Sequence, residues 1–172
     1  MSSYWENMLN PDPEDFQVLE IISGGQTGAD QGGLAAGLHL GLRTGGWMPK
    51  GFRTDTGPFA HAQFLGMKEH PSYAYQPRTK LNVQESDGTL LFGNLNSPGT
   101  KLTRSTCIYK NRPFFEVHWQ SGKPLPSVSR FRKWIAEEEI QTLNVAGNRE
   151  SRMPGIAKAV FDFLVLALSP SK

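Results

Sequence analysis

Ile21-Ile22-Ser23-Gly24-Gly25-Gln26-Thr27-Gly28-Ala29-Asp30 is the stretch that decides the fold. An apolar run from Val18 to Ile22 feeds into a glycine cluster, and then into a segment with Leu34 and Leu38 at helical spacing. Strand, glycine turn, helix is the order that converges backbone N–H groups at a helix start on an anion. A Cβ at 24, 25 or 28 would hinder close ligand approach, and glycine removes it. Thr27 adds a hydroxyl, and Asp30 is placed either to cap the first helical turn or to accept a sugar hydroxyl. Gly24, Gly25, Gln26, Thr27, Gly28 and Asp30 therefore form the main candidate cradle for a phosphorylated ligand. A tight strand-to-helix turn without a ligand is the competing explanation. The stretch is neither a Walker A sequence, since no Gly-Lys-Ser/Thr follows, nor a full dinucleotide GxGxxG.

Outward from this loop, strand-like and helix-like runs alternate. Strands are expected at 18–23, 43–47, 64–68, 89–92, 113–119 and 142–146. Helices are expected at 30–40, from Pro77 to about 85, at 100–110, from a Ser129 cap to 138, and from Pro154 onward. Residues 49–63 read as one long irregular loop, a length that is often functional. Residues 1–15 read as an N-terminal arm or tail, and 16–172 as a single ligand-binding domain. The alternation predicts an α/β three-layer sandwich with a mostly parallel central sheet. Ligands in such sheets bind beyond the carboxyl ends of the strands, where connections diverge to opposite faces.

Composition sets bounds on function. The chain has 172 residues with 38% hydrophobic and 20% charged, as expected of a globular domain with a real core. A net charge of +2 is too small to make nucleic acid or an anionic membrane an obligatory partner. An anion site must come from local geometry instead. The one cysteine, Cys107, excludes an intrachain disulfide and a multi-cysteine zinc site, and a cytoplasmic location fits. The longest apolar stretch, 163–168, falls far short of the roughly 20 residues that cross a bilayer. No secretory signal is visible at the N-terminus.

Further loops carry candidate chemistry. Asn94-Leu95-Asn96-Ser97-Pro98-Gly99-Thr100 precedes a helix, so Gly99 and Thr100 can present N–H and hydroxyl donors to phosphate; Ser97 as a plain helix cap is the alternative. Gly147-Asn148-Arg149-Glu150-Ser151 offers Arg149 as a forked donor, unless Glu150 neutralises it. Trp47, Lys50 and Arg53 follow the second strand, where a base or sugar is often read; ordinary snorkelling cations are the alternative. Arg78 and Asn82, four apart, share a helix face and either reach a ligand or stitch helix to loop. Asp87 is placed to anchor backbone amides. Histidines 39, 61, 70 and 118 share no metal-ligand spacing, so no protein-ligated metal is expected. Absence of a Gly-x-Ser-x-Gly elbow removes support for an esterase-like triad.

Ser-Gly-Gly-Gln-Thr-Gly-Ala-Asp at 23–30, Gly-Gly-Trp-x-Pro-Lys-Gly at 45–51, Arg-Thr-x-x-Asn-Val at 78–83, Ser-Asp-Gly-Thr-Leu at 86–90 and Leu-Asn-Val-Ala-Gly-x-Arg-Glu-Ser at 143–151 together resemble one family. It is the putative molybdenum carrier family, a circularly permuted branch of YpsA-like proteins in the Rossmann-like group that includes the LOG proteins. The resemblance implies a Rossmann-like sheet cradling a phosphorylated ligand, either the molybdenum cofactor (molybdopterin) or a nucleotide. It places that ligand at Gly24 to Thr27 and near Gly99 and Thr100, with Lys50 and Arg149 as flanking cations. It also implies a homo-oligomer, dimer or tetramer. LOG phosphoribohydrolases use a glycine–threonine turn followed by a catalytic glutamate, and here the glutamate position holds Thr103. A non-catalytic carrier is thus the expectation. A LOG-like nucleotide phosphoribohydrolase, with Asp30 or Glu150 in the glutamate's role, and a nucleotide-sensing module are the alternatives.

Overall fold

In the computed structural model, residues 17–170 are described; the arm expected at 1–15 lies outside them. The elements in chain order are β1 (Glu20–Ser23), α1 (Ala29–His39), β2 (Arg43–Met48), a 3₁₀ turn (Lys50–Phe52), β3 (Arg53–Thr54), β4 (Gly57–Pro58), β5 (Met67–Glu69), α2 (Tyr75–Gln84), β6 (Gly88–Gly93), α3 (Pro98–Tyr109), β7 (Phe114–His118), α4 (Ser129–Glu137), β8 (Thr142–Gly147) and α5 (Ile156–Leu168). Six strands form one sheet in the order β5-β2-β1-β8-β6-β7, and every pairing in it is parallel. This is the expected Rossmann-like α/β arrangement, a parallel sheet flanked by five helices among the described residues.

Side-chain alternation along the central strands divides the interior. Ile21, Leu90, Phe92, Leu143 and Val145 join a cluster with Ala29 and Ala36 of α1, Phe131 and Ile135 of α4, and Val160, Phe163 and Leu164 of α5. Phe163 is its centre, with ring centroids 5.5 Å from Phe92 and 5.4 Å from Phe131. Thr89 and Asn144 point to the other face, where Asn144 donates to Thr89 at 3.2 Å and Cys107 of α3 meets Thr89. The helices α2 and α3 pack together, as do α1 and α5. Glycines let α1 lie unusually close: Gly32 abuts the Ala157 backbone and Gly33 the Val145 side chain. Three helical glycines cost propensity, about 1 kcal/mol each against Ala. The close packing they allow is the compensation.

Four sequence expectations are corrected in detail. Residues 49–63 contain the 3₁₀ turn and the β3–β4 hairpin rather than irregular chain throughout. Ser129 does not cap α4; its own N–H donates to Ser127 Oγ, and Val128 holds the cap position. The last helix begins at Ile156, behind Gly155, rather than at Pro154. Phe64, expected in a strand, is 77% exposed, and the edge strand β5 starts at Met67.

The sheet order fixes where a ligand can bind. Helices α1 and α5, which follow β1 and β8, share one face, whereas α3, which follows β6, lies on the other. Connections therefore diverge between β8 and β6, opening a crevice beyond their carboxyl ends.

Replacing fully buried Phe163 by Ala should lower unfolding stability by roughly 3–5 kcal/mol. Replacing Leu166 on the exposed side of the same helix, 56% accessible, should change it by about 0.5 kcal/mol or less. Urea unfolding of the two variants checks the assignment of faces.

Candidate functional site

Because β1, β8 and β6 are neighbours, the loops after them meet on one rim. Gly25, Gly99 and Arg149 are thus brought to the same edge of the sheet. Between β8 and β6 lies a cleft of about 710 Å³. Its wall includes Asn94, Asn96, Gly99, Asn148, Arg149 and Arg152, so of the expected site residues Gly99 and Arg149 line it directly. Asn148 links its two sides: its Oδ1 accepts from Asn94 N–H at 2.6 Å and its carbonyl from Ala29 N–H at 3.0 Å.

The first loop stands behind this wall. Gly28, at φ +88°, has its Cα against the backbone of Asn148 to Glu150, where any Cβ would strike main-chain atoms. Most of the loop's donors have partners inside the protein. Gly25 N–H donates to Ser23 Oγ at 3.1 Å, and Gln26 N–H to Asp30 Oδ2 at 3.2 Å. Thr27 N–H donates to Gln26 Oε1 at 3.0 Å, and its hydroxyl to Asp55 Oδ1 at 2.8 Å. Asp30, in the first turn of α1, holds the loop's Gln26 N–H rather than capping the helix, whose cap position is Gly28 with no side-chain hydrogen bond. Gln26 Oε1 also accepts from Asp55 N–H at 2.9 Å, which fixes the amide's orientation and leaves buried Nε2 without a partner among the described residues.

Helix N-termini tell the same story with one exception. At α1 the Ala29 N–H donates to Asn148 O at 3.0 Å, and the Glu150 carboxylate accepts from Gly155 N–H at 2.6 Å and Ala157 N–H at 3.0 Å at the start of α5. Glu150 therefore caps a helix instead of neutralising Arg149. At α3, Ser97 Oγ accepts weakly from Thr100 N–H at 3.4 Å and donates to Thr100 Oγ1 at 2.9 Å, so Thr100 is buried and engaged. Gly99, in that first turn, has no intrahelical acceptor for its N–H and faces the cleft. Thr103 donates its hydroxyl to Gly99 O at 3.0 Å.

Next to the rim three guanidiniums surround one ring. Arg53, Arg149 and Arg78 stand 4.7, 5.0 and 5.6 Å from the centroid of Tyr75. Arg78 pairs with Asp30 at 3.7 Å, deep in the protein, and Gly24 is required there because a Cβ would collide with the Arg78 guanidinium. Burial pushes the Asp30 carboxyl up from 3.8 to about 6, against the pull of Arg78 and the Gln26 N–H. Burial lowers the Arg78 guanidinium from its ordinary value, opposed by Asp30. Arg78 Nε has no partner among the described residues. Asn82, one turn on, stitches α2 to β2, accepting from Trp47 N–H at 2.7 Å and donating to Trp47 O at 3.0 Å.

Other expected residues lie elsewhere. Lys50 stands over the Tyr73 ring at 5.1 Å, outside the cleft wall, and Lys68 covers the Trp47 ring at 4.8 Å. Asp87 holds Gln141 and Thr142 N–H at 3.0 and 2.8 Å, a purely structural anchor. Among the described residues no group of three or more His, Cys, Asp or Glu is placed to hold a metal ion. No helix of the described residues is long and apolar enough to cross a membrane. Tyr75, Asp55 and Arg152 were not legible as site residues. Arg152 could have been suspected from its spacing after Arg149; Tyr75 and Asp55 gain meaning only from distant partners.

Residues 21–168 match the family described as the circularly permutated YpsA SLOG family. The chain is also similar to the crystal structure of a putative molybdenum carrier protein from Syntrophus aciditrophicus SB, with 31% identity and a TM-score of 0.80 over 88% of this chain and 96% of that one. Comparison with curated proteins finds no match.

The raised Asp30 value has a consequence for stability. A carboxyl that holds its proton more tightly folded than unfolded contributes fully below 3.8, and that contribution is lost as pH rises through about 6. Urea unfolding between pH 4 and 7 should show this downward slope in the native chain and lose it in Asp30→Asn.

Proposed function

The chain belongs to the circularly permutated YpsA SLOG family, and from that premise we propose that it is a non-catalytic carrier for a phosphorylated small molecule, a pterin such as molybdopterin or a nucleotide, held in the β8–β6 cleft. The observation that carries this reading is the excess of cationic charge at the rim. Arg53, Arg78 and Arg149 share Tyr75, and Arg152 joins Arg149 in the cleft wall, yet of these only Arg78 has a carboxylate within 4.0 Å among the described residues. Like charges held this close repel, and a bound dianion relieves that repulsion while accepting charge-assisted hydrogen bonds.

The donor set suits both parts of such a ligand. Guanidiniums and the Gly99 N–H suit phosphate, whereas the side-chain amides of Asn94, Asn96 and Asn148 can pair with the edge of a pterin or base. Gly24, Gly25, Gln26, Thr27, Gly28 and Asp30 support the wall and set the positions of Asn148 and Arg78. With Thr103 spent on a backbone carbonyl, the cleft is equipped to hold rather than hydrolyse. A cytoplasmic location and self-association belong to the same proposal.

Calorimetric titration with inorganic pyrophosphate, ADP and molybdopterin tests it. Arg149→Ala should weaken the ligand that binds by roughly 10- to 100-fold, the loss of one hydrogen-bonded charge contact of about 1.5–3 kcal/mol. Unchanged affinity in that variant would move the site away from the cleft. Thr27→Val, which removes the hydroxyl that donates to Asp55 Oδ1 at 2.8 Å, should loosen the tip of the β3–β4 hairpin, read as faster hydrogen exchange of the Asp55 amide in the unliganded chain.

A further inference from the structure

The hydroxyls of Thr27 and Ser151 belong to different loops of the rim, yet both donate to one carboxylate, at 2.8 Å to Asp55 Oδ1 and 2.9 Å to Asp55 Oδ2. Asp55 is the tip of the β3–β4 hairpin and is itself exposed. Bridging two hydroxyls with two oxygens of one anion is what a phosphate group does. Ser151 lies between Arg149 and Arg152 in sequence, and Gly28, next to Thr27, abuts the backbone of Arg149. The bridged position is therefore adjacent to the cationic wall of the cleft.

Resting on the reading of the cleft as a phosphate-ligand site, we propose that Thr27 and Ser151 form a second anion subsite, which Asp55 fills in the absence of ligand. The class of ligand follows: a molecule with two linked anionic groups, a diphosphate ester or its equivalent. One group sits against Arg149, Arg152 and the Gly99 N–H, and the other takes the place of Asp55. The hairpin is built for that exchange. Its strands are two residues each, and its flanks are fixed by Phe52 and Phe59 packing on the Leu34, Met48, Leu65 and Met67 cluster. Between those anchors the tip is joined to the first and third loops by the polar contacts of Asp55: its carboxylate with Thr27 and Ser151, and its N–H with Gln26 Oε1 at 2.9 Å. Expelling the carboxylate breaks that set together and frees both Gln26 and the tip. Asp55 thereby acts as a latch that a ligand with one anionic group displaces poorly and a diphosphate displaces well.

Titration with pyrophosphate and with inorganic phosphate, combined with hydrogen exchange of the hairpin amides, tests the latch. Asp55→Asn and Asp55→Ala should bind pyrophosphate about tenfold more tightly than the native chain. Glu138→Gln, the same charge change beyond the end of α4, should leave affinity unmoved. Adding Ser151→Ala to Asp55→Ala should reverse the gain. In the native chain the Asp55 amide, protected by Gln26, should exchange faster once pyrophosphate saturates the protein, and not with phosphate. If the native chain binds pyrophosphate and loses it in Arg149→Ala, while the Asp55 variants bind no more tightly and the Asp55 amide stays protected, the latch is wrong and the carrier reading stands. Absence of pyrophosphate binding in the native chain and in every Asp55 variant overturns both. Binding that appears only when Asp55 is replaced supports the latch.

Discussion

The placement of β8 between β1 and β6 is the constraint on which the rest of the structure depends. It puts the last strand of the sheet at its centre, hydrogen-bonded on both sides through Leu143 and Val145. Side chains of those two residues fill the main core beside Ile21, Leu90 and Phe163, so that core is completed only when the two halves of the chain close on a strand made late. Such closure costs loop entropy, though the cost grows only slowly with length. What it achieves is proximity. Loops after residues 23, 93 and 147 become neighbours on one rim, and no contiguous piece of sequence could have brought them together.

Legibility in the sequence follows the range of the interactions. The run at 18–23 announces a central strand because burial on both faces leaves a local apolar signature. The runs at 89–92 and 142–146 announce strands without their place in the sheet, since each carries polar residues, Thr89 in one and Thr142 and Asn144 in the other. Glycines after the first, and a glycine–asparagine pair after each of the other two, announce turns. The order of strands in the sheet leaves no such trace, since pairing partners are distant. The β3–β4 hairpin was invisible for a sharper reason: Arg53, Thr54, Gly57 and Pro58 have no strand-like pattern, and the tip is positioned by Gln26, Thr27 and Ser151. Tyr75 likewise looks like an ordinary helix-start aromatic until Arg53 and Arg149 arrive from two distant segments to join Arg78 of its own helix. The family resemblance, carried by five short motifs, reached the fold and the rim, and did not reach the residues whose role is to receive those motifs.

A distinction between cradle and scaffold emerges from the hydrogen bonds. A glycine loop before a helix is a ready anion site because its N–H groups are unpaired. In this protein the anions are supplied from within: Asp30 for Gln26, Glu150 for the start of α5, and Asp55 for Thr27. These carboxylates are not equivalent. Asp30 is 4% exposed and locked to Arg78, and Glu150 holds two backbone donors whose release would fray a helix. Asp55 is exposed, and its carboxylate is held by two side-chain hydroxyls at the end of a short hairpin. Competition with an incoming anion therefore has a ranked order set by burial and by the number of bonds broken, with Asp55 first.

The arginine arrangement gives that ranking its direction. Three guanidiniums around one aromatic ring gain cation–π attraction, of order 0.5–1 kcal/mol each where solvent reaches them. Their mutual repulsion opposes this, and a single buried carboxylate offsets only part of it. Arg78 is committed by its pairing with Asp30, which leaves Arg149, Arg152 and Arg53 as the rim arginines without a carboxylate within 4.0 Å among the described residues. Since Arg149 is in the cleft wall and Arg53 opens the hairpin that carries Asp55, Tyr75 couples the cleft to the hairpin through one ring. An anion drawing Arg149 toward the cleft alters the same ring contact that helps seat Arg53. In the proposed carrier, ligand binding and hairpin position are in this way parts of one electrostatic arrangement.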